Sequence, residues 1–118
     1  MGLIYKTLKV KLAHNHPKSA EVEFLIDSGA VYSIVPRPVL VELGIEPHRT
    51  REFVLADGSK LTREVGDAFF EYEGEGGAAP VIFGEEGDAA IVGATALESL
   101  ALVLNPFRRE LFPMQLSA

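Results

Sequence analysis

The sequence has no cysteine and no tryptophan, and only two methionines among its 118 residues. Without a thiol there is no zinc ribbon, iron–sulfur centre, cysteine nucleophile or disulfide framework, and secretion is disfavoured. Positive charge is also scarce. Eleven Lys and Arg stand against seventeen Asp and Glu, for a formal charge of −6 and a pI near 5.0, the reverse of a nucleic-acid binder's electrostatic footprint. Long apolar runs are missing: stretches such as residues 39–41 or 89–92 fall far short of the ~20 residues needed to cross a bilayer, so no membrane partner is expected. The opening MGLIYKTLKVKL alternates apolar and basic residues in place of a charged head and an apolar run, so it reads as a strand and the expected location is cytoplasmic. Gly2 lacks the context for acylation, because Lys6 stands where a hydroxyl residue is wanted.

What remains is one ordinary domain, residues 1–118, large enough to bury ~60–70% of its unfolded surface without a metal or disulfide. Its periodicity is that of strands. Residues 3–12 put Ile4, Leu8, Val10 and Leu12 on one face against Lys9 and Lys11, and after the His14-Asn15-His16-Pro17 turn Val22, Phe24 and Ile26 alternate with Glu21 and Glu23. A strand over 30–35 is interrupted by Pro36 and Pro38, and a short helix over 39–43 closes at Gly44. Residues 52–56 and 60–65 flank Asp57-Gly58, a hairpin signal because both residues tolerate positive φ. Residues 69–73 form a further strand, Gly74-Glu75-Gly76-Gly77 a flexible loop, and residues 80–83 another strand. Thr95 and Glu98 have capping-box spacing, which predicts one short helix near the C-terminus. Residues 102–104 and 110–116 complete a mainly β chain whose many short strands predict a small closed β-barrel.

Asp27 demands an explanation, since a carboxyl directly after the apolar run Phe24-Leu25-Ile26 must be desolvated, paired or functional. Ser28 adds a hydroxyl, and Gly29 permits a turn whose amides reach the carboxylate. By itself this is an ordinary Asp-Ser-Gly turn. Residues 89–94, AAIVGA, repeat the pattern of an apolar strand running into Gly-Ala.

FLIDSGAVYSIVP, the LADGS hairpin and AAIVGATALE, in that order, resemble the retropepsin-like aspartic proteases over most of the chain. The resemblance implies a barrel of the acid-protease type with Asp27 as the catalytic carboxylate. It places Ser28 where the family's hydroxyl locks the two active-site loops together, and Gly29 where an amide meets the carboxylate. Ala30, Ala56, Asp57 and Gly58 would border the substrate, the last two at the tip of a flap. Ile91, Val92 and Gly93 would pack beneath the catalytic loop. Viral members usually pair an acidic residue two positions after the catalytic glycine with an Arg after the later glycine. Here those positions are Val31 and Ala94, so both halves of the pair are replaced together and the pattern resembles the cellular and bacterial branch.

Peptide hydrolysis of this type needs two carboxylates, one to take a proton from water and one to donate to the carbonyl oxygen. The chain has one such loop, so the resemblance implies a homodimer with Asp27 from each protomer, a polypeptide substrate and no cofactor or metal. Two other functions fit a chain of this kind: a catalytically silent dimerisation or peptide-binding module, and a small-ligand binder anchored by Asp27. Other chemistries are poorly supplied. His14 and His16 offer only two metal ligands on a solvated turn, and Ser28 lacks a Gly-x-Ser-x-Gly elbow. Glu85, Glu86 and Asp88 lack calcium-loop spacing and read as a solvated face.

Overall fold

The computed structural model describes residues 3–117. In chain order the elements are β1 (Tyr5–Lys11), β2 (Ser19–Ile26), β3 (Ser33–Pro36), α1 (Arg37–Glu42), β4 (Arg49–Val54), β5 (Lys60–Tyr72), β6 (Glu75–Gly84), β7 (Ile91–Val92), α2 (Ala94–Ser99), β8 (Leu102–Asn105) and β9 (Glu110–Pro113). The main sheet runs β1-β2-β7-β3-β6-β5-β4, and β1 also pairs with β5. Six strands thus form a ring, with β4 hanging on its outside and β8–β9 forming a separate two-stranded sheet.

The ring closes because β5 is long enough for three partners. Its first half pairs antiparallel with β4, from Arg49↔Val65 to Val54↔Lys60. Its second half pairs with β6, from Val65↔Ile82 to Tyr72↔Glu75, while Lys9↔Glu71 to Lys11↔Phe69 join it to β1. Residues expected as two separate strands, 60–65 and 69–73, are therefore one. Alternation along these strands sends Leu8, Val10, Phe24, Phe70, Val81 and Phe83 inward, all essentially without solvent contact. Phe24 and Phe70 meet edge to face with ring centroids 6.1 Å apart. Full burial of each such ring contributes roughly 1.5–3 kcal/mol, making this the stabilising centre of the ring. Leu12, expected on the same face as Leu8 and Val10, lies beyond the end of β1 and is exposed.

Three local expectations are corrected. The stretch 30–32 is loop, since its carbonyls bond outside any strand ladder, and β3 begins only at Ser33. The glycine-rich segment is no flexible loop: Glu73 (φ 47°) and Gly74 (φ 87°) make a tight two-residue turn, and Gly76 and Gly77 belong to β6. The short helix expected over 39–43 is present as α1 but begins at Arg37, taking Pro38 within its first turn, where a missing N–H costs nothing.

Gly77 has a packing reason to lack a side chain. A Cβ there would stand 2.6 Å from the carbonyl carbon of Ser99, at the last turn of α2. Gly77→Ala is expected to force α2 off β6 and cost about 1–3 kcal/mol, as overpacking does. Urea unfolding checks this, and an unchanged midpoint would disprove the contact.

Candidate functional site

Parallel pairing of β2 with β7, Leu25↔Ile91 and Ile26↔Val92, sets two strand ends side by side. The two loops that follow are laced together through their backbones. Asp27 N–H donates to the Val92 carbonyl at 2.9 Å, Ala94 N–H donates to the Ala30 carbonyl at 2.7 Å, and Thr95 N–H donates to the Val31 carbonyl at 3.1 Å. The internal sequence echo is thus a spatial pair. Asp27 closes its own turn by accepting from Ala30 N–H at 3.1 Å, and its Oδ1 accepts from Gly29 N–H at 3.0 Å. The carboxylate is half-buried and emerges beside the exposed Ser28 and Gly29.

Gly93 allows the loops to approach this closely. A Cβ at Gly93 would lie 2.6 Å from the Tyr32 carbonyl oxygen and 2.8 Å from that of Ala30. Its buried N–H donates to Ser33 Oγ at 3.0 Å, and Ser33 is the one buried polar residue among those described. Ser33 was not singled out from the sequence; its only signal there is a small hydroxyl residue inside an apolar run. Within the chain, this hydroxyl ties the Asp27 segment to the Gly93 segment, the kind of role expected of Ser28.

The same lacing overturns the capping box. The cap residue of α2 is Gly93, with no side-chain hydrogen bond. Thr95 lies inside the helix, and the first helical amides, those of Ala94 and Thr95, are already satisfied by the carbonyls of Ala30 and Val31.

The structure therefore gathers Asp27, Ser28, Gly29 and Ala30 with Ile91, Val92 and Gly93. Ala56, Asp57 and Gly58 sit apart, exposed at the tip of the β4–β5 hairpin. Their turn differs from expectation. Gly58 N–H donates to the Leu55 carbonyl and Leu55 N–H to the Ser59 carbonyl, giving a three-residue loop in which Gly58 alone has positive φ (85°). Asp57 instead accepts from the hydroxyl and amide of Ser59, which hold its carboxyl below the usual value. Two depressions flank the Asp27 loop: one of about 250 Å³ bordered by Leu3, Ile26, Asp27, Leu104 and Pro106, and one of about 230 Å³ bordered by Ser28, Ala94, Leu97, Leu102 and Met114.

In the acidic run after β6, Glu85 and Glu86 are exposed as expected, but Asp88 is not part of a solvated face. Both Asp88 oxygens accept from Arg63 on β5, at 2.8 and 3.0 Å, and Oδ2 also accepts from Glu85 N–H. Arg37 lies over the Phe83 ring and binds Glu85 and Glu64. These pairs brace the root of the β4–β5 hairpin against the 85–88 turn. His14 leans on the Phe69 ring, and His16 accepts from Lys18 N–H.

No protein-family model matches this sequence. No curated protein matches it. Among solved structures, the fold is similar to that of the simian foamy virus (mac) protease determined in solution, with a TM-score of 0.52 and 18% identity over 79% of this chain and 92% of that one. The chain has a retropepsin-like fold.

Ser33→Ala would leave the buried Gly93 N–H without an acceptor, with an expected loss of about 1–3 kcal/mol in denaturant unfolding. Full parental stability would remove Ser33 from this role. The Arg63 guanidinium, helped by the Glu85 amide, holds the Asp88 carboxyl below its usual value. Because the folded value is depressed, the stabilisation is complete above the ordinary carboxylate value near ~4 and is lost as pH falls through the folded one. Asp88→Asn is therefore expected to lower Tm at neutral pH and to flatten the acid limb of a Tm–pH profile. A parallel downward shift at every pH would contradict this.

Proposed function

We propose that the protein is an aspartic endopeptidase that works as a homodimer, each protomer contributing Asp27. The observation that carries this reading is the carboxylate itself. It stands half-buried at the end of a core strand, its backbone fixed by Val92 and its Oδ1 held by Gly29 N–H, on a retropepsin-like fold. A turn residue serving only the fold would not require this lacing beneath an accessible carboxylate.

In the proposed reaction a water molecule lies between the two Asp27 carboxylates. One takes its proton as the oxygen attacks the peptide carbonyl, and the other donates a hydrogen bond to the developing oxyanion. No covalent adduct forms and no cofactor or metal takes part. Ala30 and the hairpin tip at Ala56, Asp57 and Gly58 border the polypeptide, and closure of the hairpin excludes solvent. Ile91, Val92 and Gly93 support the loop, and Ser28 joins the loops of the two protomers. Val31 and Ala94 align the chain with the cellular and bacterial branch.

A monomer exposes apolar side chains that such a dimer would cover. Leu3, Phe107 and Leu116 are 64, 89 and 68% exposed, and Leu3 borders the Asp27 depression together with Leu104 and Pro106. The β8–β9 sheet has only two strands, fewer than an independent sheet needs, and both outer edges lack partners among the described residues. Two protomers of charge −6 repel, so association should strengthen as carboxylates protonate toward pI 5.0.

The expected behaviour is cleavage of unfolded casein with specific activity rising with protein concentration. Its rate should follow a bell on the acid side of neutrality, as a paired acid and base require. Asp27→Asn should abolish turnover while leaving circular dichroism unchanged. Light scattering showing a strict monomer at pH 5, or full activity of Asp27→Asn, would overturn the proposal.

A further inference from the structure

Tyr32 lies between two anchored residues. Before it, the Val31 carbonyl accepts from Thr95 N–H; after it, Ser33 is fully buried and bonded to Gly93 N–H. The Tyr32 carbonyl itself closes over Gly93, near enough to exclude a Cβ there. Its backbone is therefore as firmly placed as that of Asp27, five residues earlier on the same laced segment. Its side chain points elsewhere. The ring meets Phe53 edge to face, with centroids 5.9 Å apart and planes at 74°.

Phe53 belongs to β4, the outer arm of the hairpin. That strand pairs only with β5 and lies outside the ring. Every residue of β4 is exposed except Phe53. An edge strand with one covered side chain has one place where tertiary contact can fix it, and there it meets Tyr32. The ion pairs of Arg63 and Arg37 brace the root of the hairpin, on the side of β5. They do not reach β4, which is otherwise held by its ladder to β5 and by the Glu52–Lys60 pair within the hairpin.

We propose that Tyr32 is a positioning residue for the flap: its ring, carried on the Asp27 segment, sets where the β4–β5 hairpin rests over that segment. The reading rests on the proposed aspartic peptidase only in treating the hairpin as a flap. An edge-to-face pair is strong enough to bias a resting position and weak enough to part when a polypeptide strand enters. Hairpin and carboxylate are then aligned to one another through a single side chain, so that displacement of the loop also displaces the flap.

The test uses the full chain in an Asp27→Asn background, where self-digestion cannot interfere. Hydrogen–deuterium exchange is followed at amides 49–62 in Tyr32→Ala, Tyr32→Phe, Phe53→Ala and the Tyr32→Ala/Phe53→Ala double variant. Loss of the ring pair is expected to speed exchange of the hairpin about two- to tenfold, while β2 and β7 keep their protection. Tyr32→Phe should restore the parental rate, and the double variant should exchange no faster than either single one, since both remove the same contact. With Asp27 intact, Tyr32→Ala should lower kcat/KM by a similar factor without changing the shape of the pH profile, and Tyr32→Phe should recover it. Unchanged hairpin exchange, or an equal acceleration throughout the ring, would overturn the proposal whether or not the protein cleaves peptides. Selective loosening in a protein whose Asp27 form is inert would sustain the positioning role and defeat the peptidase reading instead.

Discussion

The structure depends on an exchange of backbone hydrogen bonds between two loops. Asp27 donates to Val92, and Ala94 and Thr95 donate back to Ala30 and Val31. Each bond satisfies a group that would otherwise be stranded where a strand has ended and a helix has yet to begin. Gly93 makes the approach possible, and Ser33 satisfies the amide that the approach buries. The carboxylate is thereby carried by main-chain atoms that have no rotamers to lose. Val31 and Ala94 take part through their backbones, so the lacing at these positions does not depend on a side-chain contact.

Strand periodicity made much of this legible. The alternation of Val22, Phe24 and Ile26 located β2, and the apolar strand ending in Asp-Ser-Gly located the loop. The echo around Gly93 marked the second loop, but not the parallel pairing of β2 with β7 that brings the two together. What the sequence concealed was non-local. Thr95 and Glu98 have the spacing of a cap, yet the Thr95 amide that Glu98 would serve is taken by the Val31 carbonyl, more than sixty residues away, and Leu97 N–H donates to Gly93. Gly76 and Gly77 read as a flexible break, and only the nearness of the Phe69 ring and the Ser99 carbonyl explains why a strand there excludes side chains. Ser33 looked like any small residue in an apolar run. Asp88 looked solvated until Arg63 was placed opposite it. Local pattern identifies what a segment can be; occupancy by a distant partner decides what it does.

Strand β5 combines two mechanical duties. Its first six residues are the return arm of the β4–β5 hairpin, and the remainder is a stave of the ring, paired with β6 along its length and with β1 at Phe69, Phe70 and Glu71. The β4–β5 hairpin is thereby rooted in the ring, with Arg63 and Asp88 at the junction.

Ring closure also has a temporal side. Lys9 to Lys11 meet Phe69 to Glu71 across some sixty positions, and β7 inserts between β2 and β3 from more than fifty residues downstream of either. During synthesis the β1–β2 hairpin leaves the ribosome before its partners, with one edge waiting for β5 and the other for β7. Non-local pairings of this kind close slowly, because the loop entropy is spent before the contacts repay it. Until residue 92 has emerged, Phe24 and Ile26 stand on an open sheet. The segment that carries Asp27 is thus made before the strands that enclose it, and nascent chains are most vulnerable to intermolecular strand pairing in that interval.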